Sequence, residues 1–373
     1  MDSAETRNLT TRSATLGDID ALLRIEEQAF ESDRISRRSF RALIARPTAV
    51  TIVAEIDGTI RGYAMILFRQ GTALARLYSI AVEPSAAGRG IGSRLLDEVE
   101  RAAFAQEKLL MRLEVREDNE IAIELYRRRG YRPIGRYLDY YEDHTVALRF
   151  EKTLRGDVPT TTAVPYYEQR TDFTCGACCL MMALARFVPG TLLNPVLEIR
   201  LWREATTIFM MSGHGGCEPF GMAVAAYEHG LSASIMVSTD ELLFMNSVRD
   251  PEKREVMQYA QADFRSRAKG YRIEVDYRPF TLDDIRMAVA GGKLVAVLVS
   301  GWFMFGKKVP HWVLAHGDDG RHIMIHDPWV EDEIGETVAD AANLPVPYFV
   351  FDRMARYGAS GLRAAVFLEE RRD

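Results

Sequence analysis

Gly88-Arg89-Gly90-Ile91-Gly92-Ser93 falls between a strand and a helix, and that placement constrains the chain more than any other stretch. Before it runs Arg76 to Val82, apolar and β-branched, stopped by Glu83-Pro84; after it Leu95, Leu96, Val99 and Ala103 recur at helical spacing. Such a turn offers bare backbone N–H groups with the positive end of a helix dipole behind them, a cradle for a pyrophosphate. Glycine matters because a Cβ would hold phosphate oxygens away. A P-loop needs Gly-Lys-Ser/Thr at its end, and the dinucleotide fingerprint needs G-x-G-x-x-G. Glycines at 88, 90 and 92 satisfy neither. An ordinary αβ connection remains the plain alternative.

Downstream, Leu109 to Val115 reads as a strand. Glu117-Asp118-Asn119-Glu120 then opens a helix carrying Ile121, Ala122, Leu125 and Tyr126, closed by Gly130 at the C′ position. Together with the turn, these residues resemble the coenzyme A loop and following strand–helix of the GNAT acetyltransferase superfamily, over roughly residues 9 to 152. Ala87 stands where that family usually has Gln or Arg. The stretch LEVREDNEIAIELYRRRGY is similar to ribosomal-protein-alanine N-acetyltransferases. The resemblance implies that acetyl-CoA lies along Ile80, Ala81 and Val82 and on Gly88, Arg89, Gly90, Ile91, Gly92 and Ser93. It further implies that Asn119 helps hold the coenzyme, that Glu114 is the base and that Tyr126 is the acid.

The chemistry asks for such groups. An amine must lose a proton before attacking a thioester, and the departing thiolate must gain one. Neutralising an α-amine at pH 7 costs roughly 1 kcal/mol and a lysine roughly 4 to 5 kcal/mol. An ordinary Glu acting through water therefore suits a peptide or protein N-terminus better than a lysine. Against this, strand alternation puts Arg112, Glu114 and Arg116 on one face, where Glu114 could be merely an ion-paired surface residue. Tyr126 could simply be buried on the apolar face of its helix.

The second half carries separate chemistry. Gln169 precedes Cys175 by six residues, and Cys175 heads the strongly helical run to Ala185. A helix N-terminus stabilises a thiolate, and the Gln amide can donate to an oxyanion formed at that sulfur. Further on, Pro310 to Gly317, the turn Asp318-Asp319-Gly320 and Arg321 to Asp327 read as a β-hairpin. His311 starts one strand and Asp327 ends the other, so a carboxylate can fix the imidazole tautomer. Gln, Cys, His and Asp in this order resemble the papain-like double-glycine leader peptidases, over about 164 to 330, with Gly215 to Leu231 similar to that family's middle helix.

Other readings remain open here. Cys175-x-x-Cys178 with His214-x-x-Cys217 would make a structural zinc site, although that leaves Gln169, His311 and Asp327 unexplained. Asp327 before Pro328 could be only a turn former. Cys178 and Cys179 read as small core residues. His316, His322 and His326 read as hydrogen-bonded structural residues, and His144 and His229 have no obvious companion in sequence. The papain-like half could also grip a peptide without cutting it.

Two halves without mutual similarity, joined by the aperiodic stretch 153–164, predict two domains: an α/β GNAT fold over 1–152 and an α+β papain-like unit over 165–373. The expected helices are Asp18 to Phe30 and Ser36 to Ala45, and the expected strands Val50 to Ile56, Gly62 to Phe68, Arg76 to Val82 and Leu109 to Val115. With 47 basic against 53 acidic residues, evenly mixed, direct nucleic-acid binding is disfavoured. The longest apolar run, Leu294 to Phe305, is too short to span a bilayer. A polar start and four cysteines point to a cytoplasmic protein with no disulfide framework and no expected metal.

Overall fold

The computed structural model describes residues 9–154, 164–207, 215–245, 248, 250–307, 309–330 and 338–371. The chain divides into two compact units, Met1–Val158 and Pro159–Asp373, a division that falls inside the stretch 153–164. Residues 155–163 of that stretch lie outside the described residues.

The first unit contains β1 (Leu9–Ser13), α1 (Ile19–Ala29), α2 (Arg37–Ala45), β2 (Ala49–Ile56), β3 (Thr59–Phe68), β4 (Leu74–Val82), α3 (Ile91–Ala105), β5 (Leu110–Arg116), α4 (Glu120–Arg128), β6 (Arg132–Tyr137) and β7 (Ala147–Thr153). Its seven-stranded sheet runs β1-β2-β3-β4-β5-β7-β6. Every pairing is antiparallel except β4 with β5. That parallel pairing stops at Leu77 opposite Leu113, although β4 continues to Val82 and β5 to Arg116. The two strands therefore separate at their C-terminal ends, where ligands of α/β sheets are commonly held.

Alternation sorts the sheet's side chains into two cores. Ala75, Leu77, Met111, Leu113 and Phe150 pack with Leu95, Leu96 and Val99 of α3 and Tyr126 of α4. Val53, Tyr63, Met65 and Ala81 pack with Leu22 and Ile25 of α1 and Phe40 of α2. Close approach is enforced at Gly62, where an added Cβ would come within 2.9 Å of the Ala81 carbonyl and 3.0 Å of Ile91 on α3. Glycine there lets α3 sit down on β3 and β4.

The second unit contains α5 (Cys175–Phe187), α6 (Pro195–Ala205), α7 (Pro219–Glu228), β8 (Leu231–Val237), α8 (Pro251–Gly270), β9 (Glu274–Asp276), α9 (Leu282–Ala290), β10 (Leu294–Ser300), α10 (Trp302–Phe305), β11 (Pro310–Asp318), β12 (His322–His326), β13 (Leu344–Pro347), α11 (Tyr348–Met354) and β14 (Ala364–Glu370). Its sheet runs β13-β12-β11-β10-β14-β8-β9, antiparallel except for β8 with β9. A helix apolar all round must be enclosed, and α5 is: each residue from Cys175 to Leu184 is buried. It packs among α7, Ala296 and Leu298 of β10, Leu314 of β11 and Val366 of β14. The central helix thus delivers its N-terminal cysteine to one end of the sheet.

Candidate functional site

In the first unit, Gly88 and Gly90 adopt φ of +78° and +76°, a region that penalises any side chain. Nothing lies within 4 Å of a Cβ built on either, so both face open space. Gly90 caps α3, and α3's first turn supplies amides that no preceding carbonyl can reach. Among the described residues the amides of Gly88, Arg89 and Gly90 also make no backbone hydrogen bond, whereas Ala87 donates to Pro84 and Arg94 to Gly90. The donors are therefore uncommitted and exposed, as an anion cradle requires. Ile80, Ala81 and Val82 lie on the stretch of β4 that pairs only with β3, through Ala64, Tyr63 and Gly62. Gly92 sits where a Cβ would come within 3.6 Å of Leu125, so α4 flanks the start of α3.

Asn119 is exposed, and its side-chain oxygen caps α4 by accepting from the Ala122 amide at 3.1 Å. That cap uses the oxygen and leaves the side-chain amide nitrogen for a ligand. Tyr126 is 4% exposed, set edge-on to Tyr131 at 5.7 Å. Burial pushes its phenol well above the ordinary value, so it stays protonated.

Glu114 is ion-paired, but not at the surface as alternation alone allowed. Its side chain is 4% exposed and accepts from Arg76 Nε at 2.8 Å, with Arg149 at 4.0 Å from Oε1. Arg112 turns instead to Glu151 at 2.6 Å, and Arg116 to Asp118 and Asp143. Arg76 also donates to the Tyr140 hydroxyl at 3.0 Å. Glu114 Oε1, Arg149 Nε and the Tyr137 hydroxyl are buried without hydrogen bonds. A carboxylate with one oxygen held and the other lacking a donor suits an incoming N–H or a bridging water. Sequence reasoning missed Arg76, Arg149, Tyr137 and Tyr140, because nothing local ties them to Glu114; they meet only through the pairing of β4, β5, β7 and β6.

In the second unit, the sheet brings His311 and Asp327 together. His311 Nε2 and Asp327 Oδ1 are 2.6 Å apart, with His311 4% and Asp327 0% exposed. Asp327 lies one residue past β12, and Oδ1 also accepts from the Trp329 amide at 3.0 Å. The carboxylate is thus more than a turn former. The other side of the imidazole meets Cys175, to which His311 is hydrogen-bonded. Burial alone would pull the imidazole down, but the Asp327 carboxylate and the Cys175 sulfur outweigh it and hold His311 up to about 10. An imidazole set between a carboxylate and a sulfur is the arrangement by which a histidine serves a nucleophilic cysteine.

Gln169 is fixed beside this group by its amide, which donates to the Pro328 carbonyl at 2.9 Å. Its side-chain nitrogen donates to the Thr171 carbonyl at 2.7 Å, committing one of two N–H groups, and Oε1 is buried without a partner. Glu198 on α6, fully buried, was missed by sequence reasoning. It accepts from Thr174 Oγ1 at 2.6 Å, the Arg170 amide at 2.8 Å and the Tyr167 hydroxyl at 2.9 Å. All three donors lie in the segment leading to Cys175. A Glu on a helix more than twenty residues downstream gives no signal of this.

His326 accepts from the Asn343 amide at Nδ1 (3.0 Å) and lies 3.1 Å from the Val164 carbonyl at Nε2; His322 pairs with Asp319. His316 departs from expectation: it sits at a bulge, its ring against His326 at 4.3 Å, and neither ring nitrogen has a well-formed hydrogen bond. His144 and His229 do have companions, Asp139 and, at 2.7 Å, Glu204. Cys178 and Cys179 are fully buried core residues whose thiols burial pushes well up. Cys217 packs closely on α5, where a Cβ on Gly176 would come within 2.8 Å of it. His214 lies outside the described residues, among which no group of His, Cys, Asp or Glu is placed to hold a metal. Among the same residues no helix is long and apolar enough to cross a membrane.

Comparison with known proteins finds a different family in each unit. Residues 19–131 match the Acetyltransferase (GNAT) family and residues 164–369 the Peptidase_C39 like family. The first unit is 34% identical over 142 residues to the N-alpha-acetyltransferase RimI of Mycobacterium tuberculosis (strain ATCC 25618 / H37Rv), covering 37% of this chain and 88% of that protein. Among solved structures, the ribosomal-protein-S18-alanine N-acetyltransferase from Escherichia coli is similar at 22% identity, covering 41% of this chain and 99% of that one, with a TM-score of 0.37. The ribosomal-protein-alanine N-acetyltransferase from Brucella melitensis is similar at 24% identity, covering 39% and 99%, with a TM-score of 0.35. The chain therefore belongs to the GNAT acetyltransferase family through its first unit and to the Peptidase_C39 like family through its second.

Proposed function

We propose that the first unit transfers an acetyl group from acetyl-CoA to the α-amino group of a peptide or protein, and that the second unit is a cysteine peptidase. The observation that carries the first assignment is the exposed turn of uncommitted amides beside the end of β4 that β5 does not pair. Gly88 to Ser93 would hold the coenzyme's pyrophosphate, Ile80 to Val82 its extended arm, and Asn119 would add its free side-chain amide. Bound there, the coenzyme supplies an activated acetyl thioester. Glu114 Oε1 takes the proton of the acceptor amine, directly or through one water, while Arg76 fixes the carboxylate. The buried Tyr126 phenol, kept protonated, gives a proton to the departing thiolate. The M. tuberculosis relative, by name an N-alpha-acetyltransferase, supports the α-amine as acceptor.

In the second unit the Cys175 thiolate would attack a peptide carbonyl. His311 would then give its proton to the leaving amine while Asp327 holds the ring. The Gln169 N–H not committed to Thr171 would donate to the oxyanion. A joint task follows: cleavage exposes a new N-terminus and the first unit caps it, as peptide maturation in the cytoplasm would use. The test is to incubate the full chain with labelled acetyl-CoA and a lysate of its own cell, and to identify labelled products by mass spectrometry. Acetyl groups on newly cut N-termini are expected. Label only on uncut termini would separate the two activities, and no label would remove the transfer.

A further inference from the structure

We infer that the second unit carries another ligand site, a hollow of about 540 Å³ between the start of α9, the end of α11 and the start of β14, which takes an oxyanion group such as a carboxylate or phosphate. At its wall lies Arg363, 7% exposed, with its guanidinium over the Phe280 ring at 4.6 Å. Only one guanidinium nitrogen is used: Nη2 donates to Asp352 at 2.8 Å, and among the described residues Nε and Nη1 make no hydrogen bond. Arg356, exposed on the same wall, donates to the other oxygen of Asp352 at 2.8 Å. Two guanidinium groups thus share one carboxylate and leave one positive charge uncompensated. A desolvated cation is costly unless paired and hydrogen-bonded, and beyond its stacking on Phe280 this one borders the hollow.

The rest of the wall suits an anion. Thr281 begins α9 with a capping box to Asp284, so the following Leu282 amide, at the edge of the hollow, points its N–H outward from a helix start. Arg363 itself is anchored: its amide donates to Ser238 Oγ at 3.0 Å, and the Ser238 amide returns a bond to the Arg363 carbonyl at 2.9 Å.

Register places this hollow at the end of the sheet that holds the cysteine site. Val299 of β10 faces His311 of β11, and Val297 faces both Val313 of β11 and Ala365 of β14. Extending the β14 pairing by two residues sets Arg363 opposite Val299. Arg363 and His311 are therefore about two strand spacings, roughly 10 Å, apart along the backbone. An extended peptide covers that distance in about three residues. The oxyanion can thus come from an acidic residue of a peptide lying at Cys175, or from a free small anion.

Binding at this hollow does not depend on either proposed activity. The test is calorimetric titration of the full chain with inorganic phosphate and, separately, with a short Glu-rich peptide amidated at its C-terminus. Saturable binding is expected, at least fivefold weaker in Arg356→Gln and lost in Arg363→Gln. Arg356 is exposed, so its substitution keeps the test valid where the buried Arg363 variant fails to fold. Phosphate held at Gly88–Ser93 responds to neither substitution. Tighter binding of the peptide than of phosphate assigns the site to substrate, and phosphate binding alone assigns it to a free anion. No saturable binding of either probe, or binding indifferent to Arg356→Gln, overturns the inference.

Discussion

At Gly88–Ser93 the groups offered to a ligand are main-chain amides on an exposed turn, whereas at Cys175 they are three buried side chains holding one another. The first arrangement depends on conformation: positive φ at Gly88 and Gly90 and the absence of Cβ atoms create it, and Ala87 in place of a polar residue leaves it intact. The second depends on identity, since only Asp327 and Cys175 beside it hold the His311 imidazole up against the pull of burial. A site made of backbone should fail gradually under substitution. One made of coupled side chains should fail at once.

Four experiments sharpen that contrast. Cys175→Ala should lower peptide cleavage by about a thousandfold or more, because the nucleophile itself is gone. Acetyl transfer by the same variant should stay within about twofold, measured by coenzyme A release. Equal loss of both activities would break the separation of the two centres. Next in size, Glu114→Gln should reduce kcat for acetyl transfer about 10- to 100-fold, with KM for acetyl-CoA nearly unchanged. An undiminished kcat would leave Glu114 as a structural partner of Arg76 and Arg149. Gly90→Ala should raise KM for acetyl-CoA roughly tenfold and cost about 1 kcal/mol in stability, because alanine at φ +76° is strained even in open space.

The last effect concerns stability rather than turnover. Glu218 caps α7 through Gly221 at 2.6 Å, and burial pushes its carboxyl up to about 7 against an ordinary 4.5. The folded state thus holds a proton that the unfolded chain releases above 4.5. Its contribution is full below that value and declines until about pH 7. Glu218→Gln keeps an oxygen for the cap and titrates nothing. Its unfolding free energy should therefore gain on the wild type by about 3 kcal/mol between pH 4.5 and 7, then run level. A constant difference across that range would remove the buried proton.

What could be read from the chain follows the same divide. The strand–turn–helix around Gly90 is local, so its glycines, helix periodicity and stop at Glu83-Pro84 announce it. Observed elements lie within a few residues of those expected, as Leu74–Val82 against Arg76 to Val82 and Ile19–Ala29 against Asp18 to Phe30 illustrate. His311 and Asp327 were legible because one hairpin carries both. Glu198, Arg76 and Arg149 were not, since each reaches its partner only through tertiary packing and none stands in a distinctive pattern. His316 misled for another reason: at the bulge between Ala315 and Gly317 its ring lies against His326 and finds no well-formed hydrogen bond.

Glu198 carries a consequence for how the cysteine centre behaves in motion. One carboxylate on α6 clasps the Arg170 amide, the Thr174 hydroxyl and the Tyr167 phenol, the flanks of the chain just ahead of the sulfur. A tilt of α6 would therefore act on the segment ahead of Cys175 through this carboxylate as well as through the packing of α6 on α5. If the second unit cuts peptides as proposed, whatever grips or releases that helix would tune cleavage without touching the reacting atoms.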